Sequence, residues 1–288
     1  MRSSKIVFLV LFTAFFLGSA AASADDIAWD KIVGANPSKL NAEQKQQVKD
    51  NLNRLKNTRG CTDTIAVCMA KGDQTARRHA GFVVRMVRKK KSDEFIKRGL
   101  TKRVESAFPD ETFSPNLSGH PSMGGKAAKV VIVEYACFQC PFCAYLAPKL
   151  KKLDKKFGGK VVHYYKFFPV RSHSRGVASA LAGVASMKQG KFWQMYDLMY
   201  ANRSDLDDDD ILKYAQQVGM DIAKFKADMK DPKVMKFIEK DKLEGMRYGV
   251  DGTPTFFING KVFVGLNDYA EILDRLGEEI DIVEGKIK

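Results

Sequence analysis

No stretch of this 288-residue chain repeats another, and no apolar run reaches the roughly 20 residues that a membrane-crossing helix needs. The apolar run from Ile6 to about Gly18 follows Arg2 and Lys5 and gives way to small residues ending in Ala22-Ser23-Ala24. A basic start, a short apolar middle and an A-x-A end predict a secretory signal peptide cut after Ala24, not a retained anchor. No cysteine follows directly, so lipid attachment has no acceptor there. Cysteine is sparse, at five, and histidine sparser, at four. A 45% hydrophobic content supplies a core that needs no disulfides to hold it. The odd cysteine count leaves one thiol unpaired or pairing between chains. All five lie beyond Ala24, so export, read here as export to a bacterial periplasm, places them where disulfides persist. Cleavage removes two positive and no negative charges from a net +14. Export argues against nucleic acid as partner. The basic surface then serves solubility, or draws acidic client proteins or the anionic envelope surface.

Residues 25–108 read as helical. Asn41 and Gln44 have the spacing of a capping box ahead of Val48, Leu52 and Leu55, and Gly60 stops that helix. A short apolar piece, Ile65 to Met69, ends at Gly72. Asp73 caps a helix with Ala76, Ala80, Val83, Val84 and Val87 on one face; Ser92 caps another that buries Phe95, Ile96, Leu100 and Val104. Arg88 to Lys91 reads as a solvated helix end. Residues 109–129, with Pro109, Pro115 and Pro121, have the composition of a linker. KVVIVEYA then reads as a strand buried on both faces, and Pro141 to about Phe157 as a helix. Val161 to Val170 forms a second strand, and a long helical stretch runs roughly from Ser174 to Tyr248. Two short strands follow about Asn259-Gly260, a hairpin dipeptide, with a last helix over Asp268 to Leu276. A βαβ unit followed by ββα makes an α/β sheet covered by helices.

The chemistry concentrates in YACFQCPFCAYL, where three cysteines in seven residues form two overlapping C-x-x-C pairs. The thiolate is the nucleophile of disulfide exchange, and a thiol near pKa 8.5 falls to about 3.5–7.5 at a helix N-terminus. Cys140 falls at the start of the helix after KVVIVEYA, where amides lack helical partners. Pro141 suits the first helical position because its missing N–H is not needed there. Cys143 follows one turn in, within reach of a mixed disulfide on Cys140. Cys140 is therefore read as the attacking sulfur and Cys143 as the resolving one.

EYACFQCPFC with GTPTFFING downstream resembles the DsbA-like branch of the thioredoxin superfamily, as do FFPVRSHSRGVASALA, FWQMYDLMYANRSDL and EGMRYGVDGTPTFFING. The resemblance runs from about His120 to Leu276. It implies a thioredoxin fold over 130–277 with a helical insertion at about 172–247, preceded by the N-terminal helical region and followed by a tail at 278–288. It further implies that Pro254 is a cis-proline facing the cysteines. Thr253 would then offer its backbone to a bound polypeptide, with Pro141 and Phe142 beside it. Glu134 would be a buried acid relaying the proton of Cys143, or else a salt-bridged structural glutamate. Pro148 falls where thioredoxins carry a helix-kinking proline. Phe142 stands where strongly oxidising members have histidine, which implies a weaker oxidant. Thr253 also occurs in isomerase and reductase relatives, so the direction of electron flow stays open.

Cys137 is either a partly buried free thiol, an auxiliary thiol that competes in resolution, or part of a metal site that no nearby histidine completes. Cys61 and Cys68 on one continuous helix would have Cα atoms about 10 Å apart, beyond the roughly 7 Å limit of a disulfide. A structural disulfide therefore needs Cys61 to precede the helix, as Gly60 permits; the alternative is a second redox pair feeding Cys140. His79 and His120 read as surface groups, while His163 and His173 flank the second strand, where they could sit near the cysteines, packing being the safer reading. The expected function is an exported thiol–disulfide oxidoreductase with no dissociable cofactor, cysteine-containing clients and a redox partner that resets it. The N-terminal helices offer a route to a homodimer. The other readings are a periplasmic chaperone or assembly factor with structural cysteines, and a metal-handling thiol protein.

Overall fold

The computed structural model describes residues 27–125 and 127–287, so the expected signal peptide, 1–24, lies outside the described residues. Four helices come first: α1 (Ala42–Arg54), α2 (Ile65–Ala70), α3 (Gln74–Arg88) and α4 (Asp93–Ala107). Asn41 and Gln44 close a reciprocal capping box on α1, and the side chains of Asp73 and Ser92 cap α3 and α4. Val48, Leu52, Ile65, Ala80, Val83, Val84 and Ile96 are fully buried and form one core among these helices.

The sheet is built from β1 (Ser122–Gly124), β2 (Val130–Ala136), β3 (Val161–Phe167), β4 (Thr255–Ile258) and β5 (Lys261–Val262), in the order β1-β3-β2-β4-β5. β2 and β3 run parallel, with Glu134 opposite Tyr165, and β4 runs antiparallel to β2, with Phe256 opposite Glu134. Asn259 and Gly260 both have positive φ, 47° and 76°, which turns β4 tightly into β5. Between β2 and β3 lie α5 (Pro141–Leu150) and α6 (Leu153–Phe157). Pro148 lies near the end of α5, and the chain breaks at Lys151 and Lys152 before α6 begins. One sheet face packs on α5, α6 and α12 (Tyr269–Val283) through Leu146, Leu150, Ile272 and Leu276. The same face continues into the aromatic core of the inserted helices around Phe138, Tyr165, Phe192 and Tyr196, while the opposite face packs Val133, Tyr135 and Phe257 on Phe168 and Val250.

Four expectations need correcting. The proline-rich stretch 109–129 is not simply a linker: Ser122–Gly124 pairs with β3 as an edge strand, where neighbouring Pro121, though lacking an N–H, still accepts from the Tyr165 amide at 3.1 Å. The long helical stretch is five helices, α7 (Gly176–Met187), α8 (Phe192–Ala201), α9 (Asp208–Gln217), α10 (Ile222–Lys230) and α11 (Pro232–Arg247), interrupted at Gly190, over the turn at 202–207, at Gly219 and at Pro232. The last helix continues past Leu276 to Val283, so the tail at 278–288 is mostly helix. Its acidic residues are held rather than solvated: Glu278 meets Arg103, Glu279 meets Lys261 and Arg275, and Asp281 meets Arg78. Finally, neither His79 nor His120 is a surface group. His79 is buried against Asn57, and burial lowers its pKa to about 4. His120 has a buried side chain that meets Asp241 at 2.8 Å and stacks on Phe237.

The seam between the N-terminal helices and α12 is a buried charge network. Asp274 lies 3.2 Å from Arg78 and 2.7 Å from both Arg85 and Arg103, all four side chains nearly inaccessible. Arg85 also grips Glu271 with two nitrogens, at 2.7 and 3.0 Å. Burial works to raise the Asp274 carboxyl, but Arg103, Arg85 and Arg78 together hold it below the usual carboxylate range.

Candidate active site

β2 delivers the chain to Cys137, and a turn closed by the Cys140 amide on the Cys137 carbonyl, at 3.0 Å, sets Cys140 at the N-cap of α5. Pro141 occupies the first helical position. Gln139 holds the turn from outside, its side-chain oxygen accepting from the Arg175 amide at 2.8 Å, just ahead of α7.

The Cys140 thiol is 3.1 Å from the carbonyl oxygen of Thr253, and the Thr253–Pro254 peptide is cis. The Thr253 hydroxyl is buried without a hydrogen-bond partner, so it is free to turn to the sulfur once Cys140 ionises. Asn267 steadies the loop from the far side by donating to the Pro254 carbonyl at 3.3 Å.

The two sulfurs titrate apart. Donation from the Cys143 thiol does most to lower Cys140; burial opposes it, and Thr253 and the amides of Cys143 and Phe142 reinforce it, bringing Cys140 to about 5. Cys143 is fully buried, and burial, its donation to Cys140 and the negative charge of Glu134 push it well above the ordinary thiol value. One cysteine of the pair is thus a ready thiolate and the other a held thiol.

Glu134 lies wholly buried on β2, one carboxylate oxygen 3.0 Å from His163 Nε2 across the β2–β3 pairing. Its other oxygen and His163 Nδ1 have no hydrogen-bond partner. Sequence reasoning favours packing for His163; its place opposite Ile132, two residues before Glu134 on the adjoining strand, is what sets it against that carboxylate. Cys137 is free and buried, which raises its pKa, and its sulfur lies 3.3 Å from His173 Nδ1. Phe142 and Tyr145, on the first turns of α5, are exposed.

Cys61 and Cys68 are joined by a disulfide with Cα atoms 5.6 Å apart, Cys61 lying ahead of the Thr64 cap of α2. They pack in the core of the N-terminal helices, separate from the core that holds Cys137, Cys140 and Cys143. The structure thus brings Cys140, Cys143, Thr253 and Pro254 together and leaves the Cys61–Cys68 bond elsewhere. Among the described residues, no three His, Cys, Asp or Glu side chains are grouped to hold a metal ion.

A family model described as thioredoxin matches residues 117–277. Among solved structures, BdbD from Bacillus subtilis is 23% identical with a TM-score of 0.53, covering 59% of this chain and 97% of that one. A thioredoxin-like oxidoreductase from Silicibacter pomeroyi is 21% identical with a TM-score of 0.52, covering 62% and 97%. These likenesses show the fold. Among curated proteins, the Na(+)/H(+) antiporter NhaA 1 of Mycobacterium sp. (strain KMS) is 32% identical over 156 residues, which are 53% of this chain and 25% of the antiporter. The chain spans about a quarter of the length of these curated relatives. Among the described residues, no helix is long and apolar enough to cross a membrane.

Proposed function

Since the chain belongs to the thioredoxin family, we propose that it is an exported thiol–disulfide oxidoreductase acting on cysteine-containing proteins through Cys140 and Cys143. The observation that carries this reading is the placement of Cys140 at the N-cap of α5, its sulfur 3.1 Å from the carbonyl of Thr253 in a cis Thr253–Pro254 peptide; the site lowers the Cys140 thiol to about 5 and raises that of buried Cys143.

In the oxidising direction, a client thiolate attacks Cys140 of the Cys140–Cys143 disulfide. The bond between the two protein sulfurs breaks, the client–Cys140 bond forms, and Cys143 departs and takes up a proton. A second client thiolate then attacks the client sulfur and releases the Cys140 thiolate. The client loses two electrons and the pair gains them; a redox partner removes them again. In the reducing direction the same steps run backwards, and Cys143 must lose its proton. We assign that proton to Glu134, a reading supported by its burial beside His163 and by the effect of its charge on the Cys143 thiol.

Client recognition rests on three features around the sulfur. The Thr253 carbonyl and its cis-proline neighbour give an extended backbone edge. Phe142 and Tyr145 expose apolar rings on the helix that Cys140 caps. A cleft of about 670 Å³ runs from Phe168 and Val170 past Met246 to Val250 and Asp251, two residues from Thr253. The basic net charge favours acidic clients.

A thiolate at about 5 lies between the roughly 3.5 of a strong oxidant and the roughly 7 of a reductant. This supports a potential between about −120 and −270 mV, suited to isomerase or moderate oxidase work. Replacing Cys140 by Ser tests the assignment: loss of insulin reduction and of oxidative refolding supports it, and retained activity moves the chemistry to another pair. A chaperone with merely structural cysteines needs no low-pKa thiol, so an unreactive Cys140 at neutral pH is the result that would favour that reading.

A further inference from the structure

A second site lies away from the cysteines. α3, α4 and the connection between β5 and α12 enclose a cavity of about 350 Å³, at the small end of the size range of ligand sites. Its walls are apolar: Phe82 and Met86 from α3, Phe95 and Gly99 from α4, Phe263 and Leu266 from the connection. The charged groups on its lining are one-sided, with Arg98, Lys102, Arg103 and Arg275 facing a single acid, Glu271. That acid is already committed, both its oxygens bound by Arg85.

The cations are not fully committed. Arg103 places Nη2 on Asp274 and Glu278, yet its Nε is buried without a hydrogen-bond partner. Arg275 reaches Glu279 through Nη2, and its Nη1 is likewise buried without a partner. Lys102, at the exposed end of the cavity, makes no ion pair among the described residues, and Arg98 meets only Glu94, at 3.9 Å on the solvent side. Unpartnered donors on a buried guanidinium are costly and are normally satisfied.

An apolar chamber with surplus positive donors fits an occupant with the opposite pattern. Aromatic and thioether walls offer no strong hydrogen bonds to the hydroxyls of a sugar or the polar edge of a base, and a planar guanidinium matches a carboxylate. We propose that this cavity binds a small amphipathic carboxylate. Its apolar body lies among Phe82, Met86, Phe95 and Phe263, and its charge meets Arg103 and Lys102. The proposal stands independently of the disulfide chemistry.

The test is a titration of the full chain, labelled at its methionine methyls, with decanoate; Met86 is assigned by Met86→Leu. Decanoate should shift the Met86 methyl saturably and leave Met246, in the cleft beside Val250, unmoved. Lys102→Gln, at an exposed position, should weaken binding about ten-fold, the loss of one charge-assisted contact. Gly99→Leu should abolish binding, since even a Cβ there would lie 2.8 Å from the Phe82 ring. Should that variant fail to fold, Lys102→Gln and Arg98→Gln still decide. The idea is overturned if Met86 does not respond, if Met246 responds first, if both charge variants bind like the parent chain, or if 1-decanol or inorganic phosphate binds as tightly.

Discussion

Cys140 and Thr253 stand 113 residues apart in the chain and 3.1 Å apart in space, sulfur to carbonyl oxygen. The contact joins the start of α5 to the cis peptide ahead of β4, and it exists only because β2 and β4 are neighbours in the sheet. In the proposed reaction an extended client laid along Thr253 would have its own cysteine beside Cys140, and recognition and chemistry would then meet at one residue.

Ionisation of Cys140 should be visible in the pH dependence of alkylation. In the reduced protein its reaction with iodoacetamide should rise to half-maximum near pH 5, with Cys137 and Cys143 silent through neutrality. The linkage has a definite sign. Cys140's folded pKa lies below the unfolded thiol value near 8.5, so its contribution to the stability of the reduced protein is complete above that value. It should decline as pH falls and vanish below about 5. Urea titrations of reduced protein should show this slope, and Cys140→Ser should remove it.

Cys143→Ala should leave Cys140 able to attack but unable to release. Mixed disulfides with clients should accumulate and be resolved by electrophoresis without reductant. The same change removes the largest influence lowering Cys140, so the alkylation midpoint should move upward. A midpoint that stays near 5 would place the stabilisation in the helix start alone.

Glu134→Gln should act on the buried sulfur. Its negative charge helps hold Cys143 protonated, so in a Cys140→Ser background Cys143 should become alkylatable at lower pH. If Glu134 also carries the proton, turnover should fall about 10²-fold or more, with its pH profile altered. His163→Gln should reproduce the altered profile but not the full loss.

Asp274→Ala should be among the most destabilising single changes in the chain. It leaves Arg78, Arg85 and Arg103 buried around a missing carboxylate, a loss of about 3–5 kcal/mol in denaturant unfolding. Breaking the Cys61–Cys68 bond should cost less, roughly 2–3 kcal/mol for so short a loop. It should leave Cys140 reactivity unchanged, since the two sit in separate cores.

Much of this was legible in the residues themselves. Asn41, Asp73 and Ser92 cap helices because their side chains do so locally, and Asn259-Gly260 turns β4 into β5 for the same reason. Cys140 at a helix start followed from an apolar strand, a proline and one turn of spacing. Long-range pairing was hidden. Ser122–Gly124 has no strand propensity of its own and becomes a strand only by lying against β3. Arg78, Arg85 and Arg103 look like the solvated sides of α3 and α4 until α12 brings its acids across from roughly 190 residues away. Likewise His163 gains meaning only from the neighbouring strand that carries Glu134.

α12 is enclosed on both flanks: Ile272, Leu276 and Ile280 press on the sheet, while Glu271, Asp274 and Asp281 meet the arginines of α3 and α4. A chain trimmed to begin at the proline-rich stretch would strip the counter-ions from that acidic flank and leave several carboxylates repelling one another along about three turns of helix. The part of the chain that carries Cys140 should therefore lose solubility and stability when severed from the N-terminal helices, which supply the positive half of this buried network.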